Sequence, residues 1–157
     1  MKLILIIILI FCLGFAIGGL LFCKVQPRSI FSRLKCEQCF LIDHKEVKGM
    51  LASLGFQFTP NWAPRWITST EKCVVIKHPR PIGEYHVVAF PRKDIKNIGE
   101  MNQEDIPFVV DCLLTLQKLI QENHLRNYRI FTNGPDIQEV TLLHFHLVSN
   151  EFSSLKF

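Results

Sequence analysis

The chain has 157 residues, 48% of them apolar, which is room for one domain and hardly two and excludes a disordered acidic tail or a collagen-like chain. Its formal charge of +4 is unevenly placed: residues 1–35 hold five basic side chains (Lys2, Lys24, Arg28, Arg33, Lys35) and no acidic one, while the other 122 hold 13 basic and 14 acidic. A globular part that grips nucleic acid through many phosphates is therefore not expected.

Leu3–Cys23 is a run of 21 residues without a charge, long enough as a helix to cross a hydrocarbon core of about 30 Å, and residues 1–23 read as a transmembrane anchor. A cleaved signal peptide is the rival reading, with Lys2 as its basic start, Leu3–Leu13 as its apolar part and Ala16-Ile17-Gly18 as its small-residue site. Against cleavage, the apolar run continues through Leu20-Leu21-Phe22. Four basic residues follow the span, against Lys2 and the terminal amine before it, so the flanking charge predicts a single-pass protein with its domain in the cytoplasm. Residues 24–35 form a basic juxtamembrane linker in which Pro27 discourages continuation of the helix.

The domain is expected over residues 36–157. Cys12 and Cys23 belong to the apolar run and Cys112 to a helix core, leaving Cys36, Cys39 and Cys73, too few for a secreted disulfide framework. Lys45–Leu54 has weak helical character ending at Gly55, and Gln57–Arg65 reads as a loop. Trp66–Ser69 reads as a short strand, and Cys73–Lys77 with Tyr85–Phe90 as a hairpin of β-branched strands around a Pro-rich loop. The clearest helix runs from Asn102, which can cap it, to about His124, with Ile106, Val109, Val110, Leu113, Leu114, Leu116, Leu119 and Ile120 as a broad apolar face. Strands at Tyr128–Thr132 and Val140–Val148 follow, around the turn at Asn133-Gly-Pro-Asp. Strands, helix, strands in one small unit predict an α+β fold.

His144 and His146 lie two apart in the last strand segment, so their imidazoles share one face while Phe145 and Leu147 take the other. Two histidines on one face beside a core disfavour each other's charge, so at least one stays neutral near pH 7, and a neutral imidazole is a nucleophile. The same spacing also suits a structural pair or a weak metal pair.

Several ordered pieces together resemble the histidine-triad (HIT) superfamily of nucleotide hydrolases and transferases. They are Cys36-Glu-Gln-Cys39, His86-Val-Val-Ala-Phe-Pro-Arg-Lys-Asp-Ile95, Met101-Asn-Gln-Glu-Asp-Ile-Pro, Asn133-Gly, Gln138-Glu-Val140 and His144-Phe-His146. Counting from Gln138 puts the three alternating positions of the family at Leu142, His144 and His146, a triad lacking its first member. The resemblance implies an antiparallel sheet of about five strands with one main helix, a homodimer, and catalysis at the α-phosphate of a nucleotide. In that chemistry His144 forms a nucleotidyl-imidazole, while His146 binds a phosphoryl oxygen or bears on the leaving group. Asn133, Gln138 and Glu139 become substrate-binding candidates, although as turn residues the first two can equally satisfy their own backbone. Glu139 would repel a phosphate unless a proton or cation intervenes.

Leu142 can neither donate nor accept the hydrogen bond by which the family's first histidine orients the nucleophile, so a loss of about one to two orders of magnitude in rate is expected. Some family members hold structural zinc on two such cysteines and two histidines. Here those positions read Cys36, Cys39, Asp94 and Leu142, short of four ligands, so no cofactor is expected. The substrate implied is a purine nucleoside phosphoramidate or a dinucleoside polyphosphate. A nucleotide-binding module without turnover is the alternative, and a scaffold whose histidines merely pack is the third reading. Trp62 and Trp66 are expected to pack in the core, with stacking on a base or a place at the membrane surface as the other options.

Overall fold

The computed structural model describes residues 2–25 and 44–150. It divides into two units, residues 1–42 and residues 43–157. In the first, helix α1 (Lys2–Val25) runs for 24 residues. Its described side chains, Ile4 to Ile17, cover about 21 Å of rise. Among the described residues no helix is long and apolar enough to cross a membrane.

The second unit is a five-stranded antiparallel sheet of order β1-β2-β3-β5-β4, formed by β1 (Trp66–Ser69), β2 (Cys73–Lys77), β3 (Tyr85–Pro91), β4 (Tyr128–Phe131) and β5 (Phe145–Ser149). Helix α2 (His44–Phe58) precedes the sheet, and α3 (Ile106–Glu122) connects β3 to β4. Alternation sorts the strands into two faces. Cys73, Val75, Val87, Ala89, Phe145 and Leu147 meet Cys112, Leu116 and Leu119 of α3 in the main core. Val74, Val88 and Phe90 face the other way, toward Phe56 of α2 and Leu142.

Asn102 and Asp105 form a capping box ahead of α3: Asn102 N–H donates to the Asp105 carboxylate (2.9 Å), while Asn102 Oδ1 accepts from Glu104 N–H (3.0 Å). The broad apolar face expected of α3 is divided. One stripe is buried against the sheet, whereas Ile106, Val110, Leu113 and Leu114 are exposed. Helix α2 passes through Gly55 to Phe58, further than the sequence suggests, because Arg92 receives its end. Arg92 Nε donates to Phe56 O (3.0 Å), Nη2 to Gln57 O (2.8 Å) and Nη1 to Thr70 O (2.9 Å). A cation on the orphan carbonyls of a helix C-terminus is favourable. Arg92→Ala should cost about 2–3 kcal/mol in urea unfolding, since three charge-assisted bonds are lost and the carbonyls they satisfied are left bare.

Cys73 and Cys112, unpaired in the sequence reading, are joined by a disulfide between β2 and α3 with their Cα atoms 5.1 Å apart. They face each other across one core, which spacing in the chain does not disclose. The hydroxyl of Thr70 donates to the Asp111 carboxylate close by. The tryptophans leave the core: Trp62 is 84% exposed and Trp66 also faces out, because the segment before β1 turns along the surface. Strand β5 starts only at Phe145, not at Val140. Leu143 N–H is taken by Ile95 O and Leu142 N–H by Val140 O, so the approach through residues 140–144 pairs outside the ladder.

Candidate active site

The face opposite α3 carries the histidines. β3 and β5 pair with His86 opposite Val148 and Val88 opposite His146, which brings His86 beside His146. His144, one residue ahead of the strand, lies at the same level as Phe90, with ring centroids 5.3 Å apart. His144 and His146 meet edge to face at 4.8 Å. Phe131 of β4 stacks on His146 at 4.7 Å, and His78, just after β2, stacks on His86 at 4.1 Å.

Hydrogen bonds assign the ring protons. His144 Nδ1 lies 2.7 Å from the carbonyl oxygen of Leu142, so Nδ1–H donates and Nε2 carries the lone pair. The orienting bond thus exists, made by the main chain of Leu142 rather than by a side chain. The bond that a leucine side chain cannot make is supplied at position 142 by its carbonyl. The Leu142 side chain is 0% exposed and packs with Phe56, Val74, Val88 and Phe90.

Ile82 N–H donates to His86 Nδ1 (3.2 Å), which leaves the His86 proton on Nε2, facing His146 Nδ1 at 3.0 Å. His146 then accepts at Nδ1 and holds its own proton on Nε2, a buried donor without a partner among the described residues. Both functional candidates are nearly covered, His144 at 7% and His146 at 6% exposure.

Burial lowers all three rings. His144 is held below its ordinary value by desolvation, opposed by its bond to Leu142 and assisted by His78. Burial and His78 push His86 down to about 4, and burial with His144, His86 and His78 pushes His146 down to about 3. In the unfolded chain these groups protonate near 6.5. From about pH 6.5 down to about 4 for His86 and about 3 for His146, the unfolded chain therefore binds more protons than the folded one, and stability drops as the pH is lowered, by up to about 1.4 kcal/mol per unit for each of these two histidines. Above that window these groups leave stability unchanged. Urea midpoints at pH 7.5, 6 and 5 should show the decline, and His86→Gln should make it shallower.

The other candidates are spread more widely. Gln138 is buried, its Nε2 donating to Lys96 O (3.3 Å) and its Oε1 unpartnered among the described residues. Glu139 is exposed and accepts both its bonds from Arg80 Nη2, at 3.1 and 2.8 Å, so its charge is met by a cation. Asn133 is half-buried at the start of the turn in which Gly134 O receives Ile137 N–H and Gln138 N–H. Asp94 is buried, and Cys36 and Cys39 lie outside the described residues. With Leu142 committed to an apolar cluster, the family's zinc set does not fit this chain. Sequence reasoning missed His78, His86 and Arg80 as neighbours of the pair. His86 alternates with Val88 and Phe90 along β3, but only the β3–β5 pairing places it opposite His146's strand.

A family model described as "Scavenger mRNA decapping enzyme C-term binding" matches residues 57–157. The chain belongs to this family. Solved structures agree on the fold of this decapping-enzyme C-terminal family member, which is that of the HIT superfamily. A HIT family hydrolase from Legionella pneumophila is 24% identical over 62% of this chain and 92% of its own, with a TM-score of 0.56. A HIT family hydrolase from Clostridium thermocellum is 22% identical over 66% and 94%, also at 0.56. A histidine triad protein from Clostridium difficile is 18% identical over 69% and 92%, at 0.54. The comparison with curated proteins returns no match.

Proposed function

We propose that the domain is a nucleotide phosphohydrolase or nucleotidyl transferase acting at an α-phosphate through His144. The observation that carries this is the bond from His144 Nδ1–H to Leu142 O, which leaves Nε2 with its lone pair on a buried, neutral ring. Nε2 attacks the α-phosphorus and a P–N bond forms as the bond to the leaving group breaks. The leaving group takes a proton from solvent or substrate. Water or another acceptor then cleaves the P–N bond and returns the imidazole. His146, held neutral with Nε2–H unpartnered, is suited to donating to a phosphoryl oxygen and unsuited to releasing a proton. Gln138, with a free buried Oε1, and Asn133 stand on the segment leading to it.

Purine nucleoside phosphoramidates and dinucleoside polyphosphates are the substrates to assay. The family's name speaks of mRNA decapping, so a capped dinucleotide belongs in the same assay. Incubation of the full chain with an adenosine phosphoramidate should give an adenylyl increment by intact mass, absent in His144→Ala. Wild-type turnover equal to the variant's would reject the reading. The near-complete cover of His144 favours a second reading, a nucleotide-binding module without turnover, distinguished by calorimetric affinity with no product.

The uncharged Leu3–Cys23 and its basic C-terminal flank support a membrane anchor with a cytoplasmic domain. The Cys73–Cys112 disulfide pulls the other way, since such bonds persist in oxidising compartments. Thiol labelling on either side of the membrane decides between them. The exposed stripe Ile106, Val110, Leu113 and Leu114 on α3 supports a homodimer.

A further inference from the structure

Arg80 lies outside the histidine cluster, yet the fold fixes it at both ends. Pro79 and Pro81 flank it, and a residue between two prolines has few main-chain conformations open to it. Its N–H donates to His78 Nδ1 (3.1 Å), and the His78 ring is stacked on His86, whose Nε2 lies 3.0 Å from His146 Nδ1. At the far end, Nη2 alone makes both bonds to Glu139, on the segment that leads to His144. Nε and Nη1, which carry the larger part of the guanidinium's donors, make no hydrogen bond among the described residues, and the side chain is 77% exposed. The guanidinium is thus held in place while most of its donors stay open to a ligand.

We propose that Arg80 is a specificity-determining residue of this site, the group that meets the charge of a phosphate leaving group, so that nucleotides whose α-phosphate is joined to further phosphates are used in preference to those joined to an amine. The inference rests on the attack by His144 proposed above and concerns what departs from the phosphorus.

The two leaving groups make different demands. As His144 Nε2 forms its bond to the α-phosphorus, the bond to the leaving atom breaks and its electron pair goes with that atom. A departing amine must then gain a proton, and the neighbouring rings supply none: burial pushes His146 down to about 3 and His86 to about 4, so both are already neutral. A phosphate departs as a stable anion without a proton and needs a cation beside it instead. Neutral imidazoles do not provide that charge, whereas Arg80 does. Water then forms a bond to the phosphorus as the P–N bond breaks, its proton passes to solvent, and the nucleoside monophosphate leaves with the imidazole restored.

Glu139, which alone would repel a phosphate, becomes the holder of the cation. An exposed ion pair of this kind is weak, so phosphate oxygens can share the guanidinium with the carboxylate. An arginine already oriented also loses less freedom on binding than a loose one.

The test uses the full chain in detergent micelles and reads binding and turnover separately. In calorimetry it should bind α,β-methylene-ATP, whose α-phosphorus cannot be parted from the next phosphate, at least about tenfold more tightly than AMP. Arg80→Ala should bring that ratio to about one and leave AMP affinity within about twofold, which also shows that the variant is folded; Arg80→Lys, with the charge but without the fork, should fall between. In turnover, Arg80→Ala should lower kcat/KM for ATP at least about tenfold and for an adenosine phosphoramidate by less than about threefold. A ratio near one in the unaltered chain, a ratio unmoved by Arg80→Ala, or equal losses with both substrates would overturn the role of Arg80. The affinity ratio needs no turnover, so a chain that shows it and yet forms no His144 adduct would defeat the proposed chemistry while upholding Arg80 as the phosphate-selecting residue. No affinity for either nucleotide would remove both.

Discussion

Replacing His144 by alanine is expected to lower turnover of an adenosine phosphoramidate by at least about 10³-fold and to remove the trapped adenylyl adduct, because the attacking nitrogen is deleted. His146 is the nearest imidazole, with its ring 4.8 Å away, but its Nδ1 is occupied by His86 and its Nε2 carries a proton, so neither nitrogen presents a lone pair to phosphorus. Affinity for AMP should survive, since phosphate contacts from other groups remain. Single-turnover kinetics with intact mass, and calorimetry on the same preparation, separate the two. Loss of affinity along with turnover would place His144 in binding rather than in attack.

The second large effect is one of stability. Leu142→Ala should cost about 2–5 kcal/mol in urea unfolding, the usual range for emptying a buried leucine site that cannot collapse. Leu142 is fully buried among Phe56, Val74, Val88 and Phe90, and those rings and strands are fixed by the sheet. Adduct formation should nevertheless hold to within about tenfold wherever the variant is folded, because the carbonyl that accepts from His144 remains. Leu142→Met, a volume-conserving change expected to cost under about 1.5 kcal/mol, gives the same kinetic answer without the instability. A drop of 100-fold or more in the methionine variant would return the orienting role to the side chain and defeat the main-chain account.

Much of the fold was legible because local chemistry and tertiary structure agree. The β-branched runs at Cys73–Lys77 and Tyr85–Phe90 became β2 and β3, whereas Asn102 caps the short 3-10 turn Gln103–Asp105 and α3 itself begins only at Ile106. What failed did so where partners come from afar. Helix α2 outruns Gly55 because Arg92, 36 residues beyond Phe56, donates to the carbonyls at its end. Cys73 finds Cys112 across a core, and half of the apolar face of α3 stays outside.

The site shows the same division. The shared face of His144 and His146 follows from a two-residue period, and burial does keep both neutral. The bond from the Leu142 main chain to His144 went unread because side chains were read and the backbone was not. His78 and His86 were passed over because nothing in spacing brings position 78 or 86 to position 146; a sheet register does.

The bond at Leu142 O bears on how such a domain can drift. An acceptor that belongs to the peptide unit is common to every residue type, so no point substitution deletes it. Position 142 is thereby released to suit the neighbouring hydrocarbon packing, and searches that demand a third imidazole there would discard chains in which the attacking ring is still held in register.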